Sequence, residues 1–356
     1  MRYRKSNISK SEQFKFYFGV HLLRGVAALL VVCYHYKQFA MNTPLDFSSL
    51  KLFEPPNPII SFSNSYGSYG VEIFWSISGF ILAKKYFFTP VKVSKFMAMR
   101  YFRLYPIHLL TLVTVLTIQL YTRARFGHFN VYENNGLSEF LLQLFMASNW
   151  VDHSKYSFNA PIWSVSIEIL VYLLFVILLR IRATIIMAGV VLMSTSVIRL
   201  FFPESWLLAS IAFFFLGVVL SFQFSFQSTH NKIFFLFVFI SILIDLNSNV
   251  RIHLIWVLLL LTAVNLLEVG FLGFESLKRF SLFLGNISYC LYLIHIPIQL
   301  LCLAIIETFA LQRQVIAGSN LFFFSYVFAC IYLSSLLHQK FEKPSREFLI
   351  GKYYRQ

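Results

Sequence analysis

The chain has 356 residues, of which 58% are hydrophobic, 19% aromatic and 13% charged, with a net charge of +15 and a mean hydropathy of +0.69. A soluble domain carries about 45–50% apolar and about 25% charged residues, and a single core stops growing beyond roughly 250–300 residues. Composition therefore excludes a disordered chain and a water-soluble globule with 42 phenylalanines inside, and the expected fold class is all-α, a polytopic membrane bundle.

A spanning helix needs about 20 mainly apolar residues. Ten such runs are expected, over 17–39, 69–88, 104–122, 160–180, 183–202, 206–226, 232–247, 251–272, 287–307 and 321–339. Neither repeats nor low-complexity linkers interrupt them, so residues 1–356 read as one domain with short tails at 1–16 and 340–356. The basic first tail is followed by no small-residue cleavage site and is expected to be retained.

The first run carries Arg24 and His35. Eleven positions make about 1100° of helical rotation, which puts both side chains on one face, about 16 Å apart along the axis. Cys33 points to the opposite side, which argues against a Cys–His dyad. Residue chemistry leaves two readings open: Arg24 snorkels and His35 caps an end, or both face a polar interior.

In the second run Glu72 sits close to one end and Ser78 lies deeper. Glu72 is placed either to orient His35 or to meet interfacial water. Arg100 and Arg103 then share one helical face at the start of the third run. Forked guanidinium donors suit phosphates, and they equally suit anchoring at the inner membrane face. Residues 137–147 are apolar but too short to span, as for an interfacial helix.

The fourth run opens with Pro161, tolerated in a first turn, followed by Trp163 and by Glu168 about two turns in. A carboxylate at that depth is hard to reconcile with lipid contact. The seventh run is short and carries Asp245 near its end. The ninth holds His295 and then Pro297. A lone intramembrane histidine either bonds to a neighbouring helix or serves a site. The four cysteines (Cys33, Cys290, Cys302, Cys330) lie in apolar runs without metal-ligand spacing and read as small packing residues, so no metal is expected.

Lys and Arg alternate strongly between connections: alternate segments carry 21 and the others eight. Positive residues favour the inner face, so both termini are expected in the cytoplasm and the loops 40–68 and 123–159 outside. The basic charge falls in short segments between apolar runs, which suits membrane anchoring and not nucleic acid. Nowhere does the chain carry a G-x-S-x-G elbow, a P-loop or a G-x-G-x-x-G turn.

Five pieces in order, LLRGVAALLVVCYH, GVEIFWSISGFIL, RYFRLYP, WSVSIEILVYLL and ISYCLYLIHIP, with FEKP in the tail, resemble the acyltransferase 3 family of integral membrane acyltransferases. Glu72 stands where that family commonly has Asp. The resemblance implies transfer of an acyl group, most often acetyl, from cytoplasmic acyl-CoA to a sugar hydroxyl. The implied acceptor is a surface polysaccharide such as O-antigen or capsule, or its lipid-linked precursor, and the implied location is the bacterial inner membrane. Arg24 and His35 match the family's Arg-x10-His pair, and Arg100 and Arg103 its R-x-x-R element. The short second tail implies the minimal membrane form, without an appended soluble domain.

The expected catalytic group is His35, Arg24, Glu72 and Glu168, with His35 as general base because an imidazole near its ordinary pKa of about 6.5 takes a proton at neutrality. Arg100 and Arg103 are expected to bind acyl-CoA, which is donor substrate and not resident cofactor. Ser78, Trp163 and His295 are expected to touch substrate or support the site. The rival reading is a polytopic transporter, which would show internal repeats with helices broken at matching positions. No oligomeric state follows from the sequence.

Overall fold

Within lipid, backbone amides and carbonyls find partners only along their own helix or in a closed barrel. The computed structural model describes residues 18–41, 50, 53–87, 89, 91–151, 156–181, 185–222, 230–246, 254–267 and 274–355, and all their regular structure is helical. The helices are α1 (Phe18–Tyr36), α2 (Pro58–Tyr66), α3 (Gly70–Tyr86), α4 (Val93–Phe126), α5 (Leu137–Leu144), α6 (Ile162–Arg180) and α7 (Ile185–Phe201). They continue as α8 (Trp206–Leu220), α9 (His230–Leu246), α10 (Leu254–Leu267), α11 (Glu275–Thr308), α12 (Arg313–Ala317), α13 (Asn320–Leu337) and α14 (Lys343–Tyr353).

Among the described residues, five helical stretches are long and apolar enough to cross a membrane: Phe18–Ala40, Val93–Phe126, Ile162–Arg180, Glu275–Thr308 and Asn320–Tyr353. The other five expected runs hold α3, α7, α8, α9 and α10, helices of 14 to 17 described residues, so ten spans are not shown among the described residues. The tail 1–16 and the edges 223–226, 251–253 and 268–272 of the expected runs lie outside the described residues.

Two expected runs turn out to be parts of longer helices. Helix α4 has 34 residues and passes through buried Pro106, so Arg100 and Arg103 ride on the same rod as the apolar run that follows them. Helix α11 also has 34 residues, passes through Pro297, and is largely buried. The last run continues through a π-helical turn at His338–Glu342 into α14, which makes most of the expected tail helical.

Small residues set the packing, because helices in lipid gain most from close van der Waals approach. Helix α1 lies along α11, where a Cβ added to Gly25 would overlap Leu284 and one added to Gly285 would overlap His21. Helix α3 lies along α8 in the same way. There Gly79 meets the Phe214 carbonyl, and Gly217 meets the Ser76 carbonyl. Asp245 of α9 pairs with Arg199 of α7 at 2.8 Å, both buried, and accepts the Leu254 amide of α10 at 2.7 Å. The carboxylate that interrupts the seventh run thus ties three helices together.

Candidate active site

The α1–α11 contact brings two histidines together. His35 Nδ1 lies 2.9 Å from the Val31 carbonyl, one turn back on its own helix, and 3.3 Å from Nε2 of His295. His295 Nδ1 lies 3.3 Å from its own Leu291 carbonyl. A carbonyl only accepts, so both rings are assigned as the Nδ1–H tautomer. His295 Nε2 then accepts from His35 Nδ1–H, and Nε2 of His35 keeps its lone pair. Gln299 donates to the His35 carbonyl at 2.7 Å, and the Tyr326 hydroxyl donates to the His295 carbonyl at 3.1 Å.

His35 opens onto a cavity of about 590 Å³ whose wall includes Glu72, Lys37, Trp163 and Tyr132. Glu72 sits in the first turn of α3, where the helix dipole favours a carboxylate. Burial pushes the Tyr132 phenol up, and its hydroxyl oxygen accepts from Gln38 at 2.9 Å. Trp163 meets Trp75 edge-to-face and Trp206 at a tilt, with ring centroids 5.9 and 4.9 Å away.

A second, narrower cavity of about 70 Å³ is lined by Arg24, Arg100, Arg103, Ser78, Glu168 and Tyr172, among others. Glu168 accepts from the Tyr172 hydroxyl at 2.7 Å, and Ser78 lies beside it. Among the described residues no carboxylate comes within ion-pairing distance of the three guanidinium groups, and the buried Arg100 Nε has no hydrogen-bond partner. Three clustered cations with unspent donors favour an anion carrying several oxygens.

The family model for the acyltransferase domain, Acyl_transf_3, matches residues 17–339. The chain belongs to the acyltransferase 3 family. No curated protein matches it, and no solved structure does. Family membership and the apolar helices together make it a membrane acyltransferase.

Within this acyltransferase domain the expected residues divide between the two cavities. His35, Glu72 and Trp163 line the wide one; Arg24, Arg100, Arg103, Ser78 and Glu168 line the narrow one; His295 stands behind His35 and lines neither. Glu168 therefore lies on the arginine side of the site. The common face expected for Arg24 and His35 is used, one end in each cavity.

Sequence reasoning overlooked Tyr292, which lines both cavities, and Gln299. Their signal was the spacing Tyr292, His295, Gln299 on one face of α11. Also overlooked was a cluster at the π-helical turn, where Glu342 accepts from Cys290 at 3.0 Å and from His338 at 2.7 Å. These three groups offer ligand atoms within 4.8 Å of one another. Cys290 is thus a hydrogen-bond donor as well as a packing residue.

Proposed function

We propose that this acyltransferase moves an acyl group, most simply acetyl, from cytoplasmic acyl-CoA to a hydroxyl of a surface-polysaccharide sugar or its lipid-linked precursor, in the bacterial inner membrane. The observation that carries the reading is the pair of cavities, one cationic and one holding an oriented imidazole, which meet inside the bundle. The donor's phosphates lie along Arg100 and Arg103, and its thioester extends past Arg24. The acceptor enters the wide cavity from the outside.

The chemistry closes on groups already in place. The acceptor hydroxyl oxygen attacks the thioester carbonyl carbon while its proton passes to Nε2 of His35. The C–O bond forms, the C–S bond breaks, and the leaving thiolate takes the proton from the imidazolium, giving the ester and free CoA. His295 is a positioning residue: the Val31 carbonyl sets the Nδ1–H tautomer of His35, and His295, by accepting from the same Nδ1–H, holds the ring in place and shares the positive charge that appears during transfer.

The test is acetyl-CoA labelled in the acetyl group, added to membranes that hold the protein, with label followed into glycan. Wild type is expected to transfer label. Arg103→Ala is expected to raise the KM for acetyl-CoA more than it lowers kcat, because lost phosphate contacts remove mainly uniform binding. No label transferred by wild type, or unaltered acetyl-CoA dependence in both Arg100→Ala and Arg103→Ala, would contradict the reading.

A further inference from the structure

Among the described residues, the narrow cavity and the wide one have a single residue of wall in common, Tyr292 of α11. Its side chain is buried, and its hydroxyl donates to the Pro161 carbonyl at 3.1 Å and lies 2.8 Å from Ser164 Oγ. Phe74 meets the ring edge-on at 5.4 Å. Pro161 is the N-cap of α6 and Ser164 sits in its first turn, so the latch ties α11 to the point where α6 begins. Among the described residues, the wall shared by the two chambers is therefore a side chain held by two hydrogen bonds.

Volume gives the boundary a consequence. The arginine side has about 70 Å³ and the histidine side about 590 Å³, so the size limit on an acyl group falls on the arginine side, at the aromatic wall. Water in the wide chamber meets the same wall. A thioester exposed to that water beside a basic imidazole would be hydrolysed, so a barrier there protects the donor until an acceptor is seated.

We propose that Tyr292 is the acyl-size determinant and the water barrier of the transfer. This rests on the reading that the donor occupies the arginine cavity. The ring blocks chains longer than the shortest acyl groups, and the latch to Pro161 and Ser164 keeps the ring closed between turnovers.

The experiment compares acetyl-CoA with butyryl-CoA in membranes holding wild type, Tyr292→Ala, Tyr292→Leu and Tyr292→Phe at matched abundance. Acyl transfer to glycan and release of free CoA thiol are both measured. Removing the ring is expected to raise the butyryl-to-acetyl ratio of kcat/KM by about 10-fold or more, the scale on which a pocket distinguishes methylenes. Tyr292→Phe keeps the ring and loses the latch. It is expected to leave that ratio near wild type and to raise CoA release without transfer several-fold. Tyr292→Leu reads the same ratio where the alanine variant fails to reach the membrane. An unchanged ratio in the Ala and Leu variants overturns the size role, and wild-type CoA release in Tyr292→Phe overturns the latch. A wild type that consumes neither thioester overturns the acyl-transfer reading itself, and this proposal with it.

Discussion

His35 and His295 show how two neutral rings organise a base without a carboxylate bonded to either ring nitrogen they share. Each Nδ1 faces a carbonyl one turn back on its own helix, at 2.9 and 3.3 Å, so helix geometry sets the tautomers and the 3.3 Å contact between the rings follows. His35→Gln keeps a neutral hydrogen-bonding group but takes up no proton near neutrality. It is expected to lose roughly 10²–10⁴-fold in kcat, where a mere capping role would leave the rate near normal. His295→Leu removes the acceptor behind the ring, and a fall in kcat smaller than that of His35→Gln, by about 10-fold or more, with an unchanged KM for acetyl-CoA is expected. His295→Gln, which retains an acceptor oxygen, is expected to recover part of that loss. Equal rates in the two His295 variants would reduce His295 to packing.

At the scale of helices, the close crossing of α3 and α8 holds Ser78 and Glu72 in their cavities. A Cβ at Gly79 or Gly217 meets a backbone carbonyl, not a flexible side chain, so neither neighbour can move aside cheaply. Gly79→Ala and Gly217→Ala are each expected to cost about 1–3 kcal/mol, read as a lower Tm in detergent and less protein in the membrane. An unchanged Tm in both would contradict a close crossing of α3 and α8 at these glycines. The runs that became helices were legible because length and apolarity decide a helix in lipid. Their ends were not. Residues 275–286 are too polar to read as a span, yet they continue α11, where Ser281, Leu284 and Gly285 are buried and Gly25 and Gly285 let α1 and α11 approach closely. Arg24, His35, Arg100, Arg103 and Glu168 stood out as ionisable groups among apolar neighbours, and all five line a cavity. Tyr292 did not stand out, since a tyrosine among 61 Phe and Tyr residues carries no signal until the helices around it are placed.

Over the whole molecule, the cationic cavity and the imidazole cavity lie on the two sides of Tyr292, and the orientation proposed from the alternation of Lys and Arg between connections has the arginine end toward the cytoplasm. Acetyl-CoA is large and charged and does not cross a sealed bilayer unaided, so the side from which it is used reports directly on that arrangement. The decisive measurement supplies acetyl-labelled acetyl-CoA to the outside of sealed vesicles of opposite orientation, prepared from cells that carry the protein. Label should enter glycan in inside-out vesicles and not in intact right-side-out ones, and His35→Gln should abolish it. Equal incorporation in intact right-side-out vesicles would contradict the two-sided site.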